Sequence, residues 1–450
     1  MPTTKVTRIT IMVAGALALP LLAARGHPAH DRHHTQQAKP AYEIGITDSH
    51  LLALQQRAAR EDATAKDLHR LGWSLIAEAR KTQDERYFEL AAQTAHEMQD
   101  RFGSSSTARL LLAHALHNLH RFAEAEAIAT VLAEERGDPM DYALLSDVFL
   151  ERGKLDEAVA ACRKFVRLKP GLEAYSRVSY LRWLHGDIDG AIAAMEHAVL
   201  AGTGSNPEPL AWCLCRLSYL YLQKQRQAEA RAAAKKAVAL LDEYPPALFA
   251  LGRAELAMGD LHSAAELLNR AAELNPIPEY QWWQGDALET VDRNLEAAAV
   301  RDDLEQKGAF VDPRTVALFL ASRDARADKA LSLARNELGK RPDTFSWDAL
   351  AWAQHAAGET RAAHESIQEA LRFNIRDARV FLHAGIIARG LGRETEAKGF
   401  FDEAATLSAT LTPLEQRLLA DQRRGVSAAS SSHEKSPQAQ SNKNRSNEQS

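Results

Sequence analysis

The chain has 450 residues, of which 46% are hydrophobic and 26% charged, a composition typical of folded proteins. One ordinary core is not expected at this length, so the sequence predicts several domains or an array of repeats. The 55 basic and 60 acidic residues are interspersed and give a formal net charge of -5. Because no basic stripe results, a nucleic-acid partner is not expected.

The first 26 residues have the pattern of a secretory signal peptide. Lys5 and Arg8 precede an apolar run over residues 9–24, and small residues follow. The run is short for a membrane-spanning helix and contains Pro20. We therefore expect an exported protein, periplasmic or secreted, with no membrane span in the mature form. Retention of the segment as an N-terminal anchor is the alternative.

Residues 27–63 are interpreted as a flexible linker followed by a leading helix. The start of this linker holds a cluster of four histidines: His27, His30, His33 and His34. Imidazole is a common ligand for zinc, copper and nickel. The cluster therefore supports an alternative function in metal handling, although a solvated linker explains the same composition.

Alanines recur through the middle of the chain at a regular spacing. They stand at positions 125, 158, 191, 230, 264, 297, 330, 363 and 397, mostly 33 or 34 residues apart. A small residue stands twelve positions before eight of these nine alanines, and Gly stands five positions before five of them. A period of this length predicts helix pairs that stack on one another. The Gly would end the first helix of each pair in a left-handed conformation.

The residues in this register resemble the tetratricopeptide repeat. One unit combines residues 251–252, residues 259–264 and Pro276, and a second combines residues 153–158 with Pro170. A third unit has Trp347, Leu350, Gly358, Ala363 and Ala370. The resemblance implies an all-α, right-handed superhelix of about ten helix hairpins and a function in protein binding.

The array is predicted to span residues 64–410, with an insertion at residues 201–209. Residues 411–425 are predicted to form a capping helix, which covers the apolar end of the last repeat. Residues 426–450 are rich in Ser, Gln, Asn and Lys and are predicted to form a disordered tail.

Catalytic and redox motifs are missing from the sequence. It has no Gly-rich phosphate loop, no His-Glu-x-x-His, no Ser nucleophile elbow and no Cys-x-x-Cys pair. Cys162, Cys213 and Cys215 are expected to be unpaired, because residues two apart face different sides of a helix. We therefore expect a non-enzymatic protein without a cofactor.

The resemblance implies that the first helices of successive units line a concave groove for a protein or peptide partner. Positions one and four residues beyond the small packing residue would face this groove. Tyr180, Trp183 and Tyr219 are predicted to form its centre, beside the insertion. The chain is thus interpreted as an interaction scaffold or adaptor of the cell envelope. The other candidate groove residues are Arg253, Phe319, Trp352, His355 and Arg389.

Overall fold

The computed structural model describes residues 48–82, 84–202, 206–323 and 326–433, with side chains up to residue 424. The predicted signal peptide, the four clustered histidines and residues 434–450 of the predicted tail lie outside these residues.

The described residues form α-helices joined by short turns, with no β-strand. Ten antiparallel hairpins follow one another, from α2/α3 to α20/α21, so the all-helical solenoid is confirmed. Helix α1 precedes the first hairpin, and α22 follows the last. The helices are α1 (Ser49–Ala58), α2 (Ala65–Thr82), α3 (Arg86–Phe102), α4 (Ser106–Asn118), α5 (Phe122–Glu135), α6 (Pro139–Glu151), α7 (Leu155–Leu168), α8 (Leu172–Leu184), α9 (Ile188–Ala201), α10 (Glu208–Gln223), α11 (Gln227–Leu240), α12 (Pro245–Met258), α13 (Leu261–Leu274), α14 (Pro278–Thr290), α15 (Asn294–Lys307), α16 (Pro313–Ala321), α17 (Ala327–Lys340), α18 (Thr344–Ala356), α19 (Thr360–Leu371), α20 (Ala378–Gly390), α21 (Glu394–Thr406) and α22 (Pro413–His433).

The regularly spaced alanines are the contact points within the hairpins. All nine are fully buried. The hydroxyl of Ser146 donates a hydrogen bond to the carbonyl oxygen of Ala158 at 3.0 Å, and Ser179 does the same to Ala191 at 2.6 Å. A Cβ at Gly252 would lie 2.7 Å from the Leu268 side chain. The two helices of a hairpin therefore approach too closely for larger side chains at these positions.

The turns inside the hairpins depend on a left-handed residue. The five glycines predicted at this position all have φ between 69° and 85°. In three hairpins that lack the glycine, His120, Gln225 and Asp292 occupy the same position with φ of 58°, 54° and 62°. The turn geometry is thus kept even where a side chain makes it less favourable.

The last units of the array contact the inner face of the middle units. Arg152 Nη1 donates to the carbonyl oxygen of Lys340 at 3.2 Å, and Gln223 Nε2 donates to that of Arg376 at 3.2 Å. Gln225 Nε2 donates to the carbonyl oxygen of Thr406 at 3.1 Å. These partners are 153 to 188 residues apart in sequence. We call this interface the closure: residues 340–345, 374–379 and 406–410 lie against the inner side of α6, α8, α10 and α12.

The C-terminal helix is longer than predicted. Helix α22 continues to His433, past the predicted boundary at residue 425. Residues 426–433 contain two alanines and no proline, so they are compatible with a helix that has already started. None of the helices in the described part of the chain is long and apolar enough to cross a membrane.

Candidate functional site

An open groove of about 470 Å³ lies on the inner face of the first half of the array. Residues of α2, α4, α6, α8 and α10 line it, together with the start of α3. These are the first helices of consecutive hairpins, which the repeat register predicts to face inward. We call it the amino-terminal groove. Phe88, Tyr180 and Trp212 give it aromatic walls, and Trp212 is 38% exposed.

The amino-terminal groove is rich in carboxylates. Its lining has two arginines, Arg80 and Arg177, against five acidic residues: Glu85, Asp147, Glu151, Glu173 and Glu208. Burial alone would lower the pKa of the Arg177 guanidinium, but the Asp147 carboxylate beside it raises that pKa above its usual value. Their atoms form two hydrogen bonds, of 2.8 and 2.6 Å. Glu151 and Glu173 pair with Arg341 and Lys169, which lie outside the groove lining. Glu85 and Glu208 form no ion pair among the described residues and give the groove its acidic character.

The three residues predicted as the centre of the site do lie together. The rings of Tyr180 and Trp183 are 5.4 Å apart, and those of Trp183 and Tyr219 are 5.8 Å apart. Tyr180 also lines the amino-terminal groove. The other two are covered by the closure, since Trp183 is only 4% exposed and stacks on Phe345 at 5.6 Å. Partner contact at Trp183 and Tyr219 stays a prediction, and in this conformation both residues pack within the chain.

The closure places polar groups of the predicted site in a poorly hydrated environment. The Tyr219 hydroxyl donates to Asp377 Oδ2 at 3.2 Å. Burial raises the pKa of Tyr219 and of Asp377, because water no longer solvates their charged forms. For Tyr180, burial raises the pKa to about 12. Each of these three groups therefore favours its neutral form more strongly than it would in water.

Phe319 and Trp352 lie apart from this cluster, in the packing of later hairpins. Phe319 is 3% exposed and contacts Trp282 edge-on at 5.8 Å. Trp352 is 5% exposed, and its Nε1 donates to the Ser322 hydroxyl at 2.9 Å. The inward-facing positions of these hairpins thus serve internal packing. Their use by a partner remains a prediction.

His355 and Arg389 are also engaged by neighbouring residues. His355 stacks on Trp352 with ring centroids 5.3 Å apart, and His383 also stacks on that indole, at 4.1 Å. Arg389 Nη1 donates to the carbonyl oxygen of Gln422 at 3.0 Å, which ties α20 to α22. Partner binding at both positions likewise stays a prediction.

Sequence reasoning missed two residues that line the inner face, Trp212 and Arg216. Both are on α10, one to two helical turns before Tyr219. Arg216 and the predicted Arg253 line a second cavity of about 260 Å³, which lies where the closure meets α8, α10, α12 and α14. The signal that could have found Arg216 is its position three residues before Tyr219, which places both on one face of α10.

The fold as a whole is an α-solenoid, an array of stacked helix hairpins. Two of its segments, residues 110–173 and 249–308, match the family model of the tetratricopeptide repeat. This match supports the repeat type that the sequence register predicts. No curated protein matches the chain.

Solved structures with related folds are distant in sequence. The MamA protein is 18% identical over 38% of this chain and 92% of its own, with a TM-score of 0.30. The human IFIT1 dimer with PPP-AAAA is 14% identical over 82% of this chain and 88% of its own, with a TM-score of 0.47. PilW, a widely conserved type IV pilus biogenesis factor, is 16% identical over 48% of this chain and 98% of its own, with a TM-score of 0.39. None of these likenesses indicates a function for this chain.

Proposed function

We propose that the chain is a non-enzymatic scaffold that binds a protein or peptide partner in the amino-terminal groove. The observation that carries this proposal is the contrast between an open groove with a partly exposed Trp212 and the inward-facing Trp183, Phe319 and Trp352, which are only 3 to 5% exposed. Aromatic residues in concave surfaces are the groups that most often dominate binding energy. Tetratricopeptide repeats also serve in general as protein interaction modules.

The chemistry of the amino-terminal groove indicates the kind of partner. Glu85 and Glu208, which form no ion pair among the described residues, favour a segment that carries Lys or Arg. The aromatic walls at Phe88, Tyr180 and Trp212 favour apolar anchors between these basic residues. The partner segment is therefore a basic peptide with apolar anchors, either extended or helical.

We further propose that this binding takes place in the cell envelope. The support is the signal-like pattern of Lys5, Arg8 and the apolar run over residues 9–24. Cell fractionation and N-terminal sequencing check this step. We expect a mature N-terminus between about residues 25 and 31. A cytosolic protein that still begins at residue 1 or 2 would contradict it.

Quantitative capture from envelope extract tests the binding site. The parent protein, Trp212→Ala and Phe310→Ala are used as baits, and captured proteins are measured by mass spectrometry. Phe310 is a matched control because it is an aromatic residue outside the groove and 91% exposed. We expect Trp212→Ala to capture at least about tenfold less of the specific partner than the parent does, which is the effect expected of a hot-spot residue. Phe310→Ala should capture as much as the parent.

The partner's binding segment is then tested directly with synthetic peptides. A peptide with Lys or Arg between apolar anchors should bind the parent more tightly than its Glu-substituted counterpart, and the preference should weaken in high salt. Equal capture by all three baits, or a preference for the acidic peptide, would disprove the groove assignment.

A further inference from the structure

Two arginines of the 260 Å³ cavity differ from their neighbours in lacking a carboxylate partner. Arg314 pairs with Asp343 at 2.9 Å, and Arg379 pairs with Glu415 at 2.5 Å. Arg216 and Arg253 form no ion pair with any carboxylate among the residues that the structure describes. Since burying an unpaired charge is unfavourable, the missing counterion needs an explanation.

Aromatic rings hold both guanidinium groups in place. The Arg216 Cζ lies 5.5 Å from the centroid of the Trp183 ring and 5.1 Å from that of Tyr219. The Arg253 Cζ lies 4.9 Å from the Tyr219 centroid and 4.5 Å from that of Trp283. The two cations therefore share the ring of Tyr219. Such contacts stabilise the faces of a guanidinium, but they do not satisfy its N–H donors.

In the part of the chain that the structure describes, one N–H donor of the guanidinium group of Arg253 has no hydrogen-bond acceptor. Its Nη2 donates to the carbonyl oxygen of Thr410 at 3.3 Å, whereas its Nε is buried and has no acceptor among the described residues. Burial also lowers the pKa of Arg253, with Tyr219 and Glu279 opposing this effect too weakly to reverse it. This guanidinium therefore has a donor left for an anion, and carboxylates are favourable acceptors for guanidinium groups.

The space beside these arginines suits a small ligand with an apolar part. The 260 Å³ cavity adjoins another of about 250 Å³, and both are lined by Arg216, Tyr219, Arg253 and Glu279. Trp212, Phe249 and Tyr280 line the smaller one, and three tryptophans line the larger one: Trp183, Trp282 and Trp283. Together the two cavities are lined by five arginines and four carboxylates, the latter being Glu279, Asp312, Asp348 and Asp377, so the lining has one more basic than acidic residue. This balance favours a ligand with one negative charge over a polyanion.

We propose that these adjoining cavities bind a small organic monocarboxylate, its carboxylate between Arg216 and Arg253 and its apolar body against the aromatic walls. Guanidinium groups bind planar carboxylates through two parallel hydrogen bonds, which fits the unsatisfied donors. The site shares Tyr180 and Trp212 with the edge of the amino-terminal groove, but Arg216 and Arg253 do not line that groove. It lies against the closure, because Phe345, Asp377 and Thr410 line the same cavity. Ligand binding would therefore stabilise the closed array.

Benzoate and its neutral isostere benzamide test this site in the full-length protein by thermal unfolding and calorimetry. We expect saturating benzoate to raise the melting temperature by about 2 °C or more, and benzamide to have no such effect. Arg216→Gln and Arg253→Gln should each remove the benzoate response. Arg226→Gln is the matched control, because its guanidinium also lies over a tyrosine, at 4.3 Å from Tyr221, but already pairs with Glu229.

The benzoate and benzamide comparison on the parent protein does not depend on any variant folding correctly. Equal responses to benzoate and benzamide would overturn the proposal, as would no response to benzoate. The same conclusion follows if Arg216→Gln and Arg253→Gln, with parental helix content by circular dichroism, respond like the parent. A response to inorganic phosphate as large as that to benzoate would rule out the carboxylate preference. Because no partner protein is present, these outcomes leave the scaffold proposal untouched.

Discussion

The amino-terminal groove and the closure involve the same face of consecutive first helices. The groove leaves side chains on this face exposed, whereas the closure covers them. In the groove, Trp212 on α10 is 38% exposed, whereas at the closure Trp183 on α8 is 4% exposed under Phe345. The repeat register determines which side chains point inward. The return of the later hairpins determines which of these inward side chains a partner can reach. Inward-facing and accessible are therefore separate properties in a tightly wound array.

Replacing the two tryptophans should give the largest difference between these regions. Trp183→Ala removes a buried indole that contacts Tyr180, Tyr219 and Phe345, so we expect a loss of about 4 kcal/mol in the free energy of unfolding. Trp212→Ala should change it by less than about 1 kcal/mol, because the indole is partly exposed. Urea unfolding followed by circular dichroism measures both. Equal losses would show that Trp183 is not held under the closure.

Two turn glycines with similar backbone angles allow the cost of local backbone strain to be distinguished from the cost of disturbing the closure. Gly153 and Gly358 have φ of 69° and 80°, so alanine costs about 1 kcal/mol at either position. A Cβ at Gly153 would also overlap the carbonyl oxygen of Pro342, whereas nothing lies within 4 Å of one at Gly358. We expect Gly153→Ala to destabilise the protein by about 2 kcal/mol more than Gly358→Ala. Matching urea midpoints for the two variants would argue against the closure at Pro342.

The closure should also respond to pH through Asp377. Burial raises the pKa of this carboxyl above its usual 3.8, so the folded state holds the proton more tightly than the unfolded state. Its contribution to stability is full below the unfolded pKa and is lost as the pH rises through the folded pKa. Asp377→Asn keeps the side-chain oxygen that caps α20 and cannot ionise. The variant should be about 1 kcal/mol more stable than the parent at pH 7, with the difference vanishing near pH 3.

Unfolding curves of the parent and Asp377→Asn at several pH values measure this difference. Tyr219→Phe is a useful control, because it removes the hydroxyl that donates to Asp377 without removing the ionisable group. A pH-independent difference between Asp377→Asn and the parent would show that the carboxyl is not poorly hydrated.

The smallest effect is expected at a turn outside the closure. Asp292 occupies the left-handed position between α14 and α15 with φ of 62°. Asp292→Gly should relieve the strain of a side chain in this region and stabilise the protein by about 0.5 kcal/mol after the entropic cost of glycine. Thermal unfolding measures the change. A destabilised variant would show that the Asp292 side chain contributes a favourable contact.

The sequence predicts the hairpins well because their determinants are local. Contacts such as Ser146 to Ala158 join residues twelve apart, and the same spacing recurs along the chain. The closure could not be predicted in this way. The contact of Tyr219 with Asp377 joins residues 158 apart, and its position depends on small rotations added over several hairpins.

The candidate site could be predicted only in part, because local spacing shows which residues lie together but not which distant residues cover them. The register correctly brings Tyr180, Trp183 and Tyr219 together, since they lie on neighbouring first helices. It gives no information on what covers them. Arg216 lies two residues before the small Ser218, whereas the groove-facing positions of the register come one and four residues after the small residue.

The three cysteines provide internal probes of how often the array opens. All are free and buried, and burial raises the pKa of Cys162 to about 11 and that of Cys213 to about 12, so very little reactive thiolate is present at neutral pH. Cys213 and Cys215 are on α10, the helix that carries Tyr219 into the closure. In the native protein, a thiol reagent can therefore modify them only during transient separation of the hairpins. At reagent concentrations where modification is faster than reclosing, the modification rate of unaltered protein would thus measure the opening rate of the superhelix, without an introduced label.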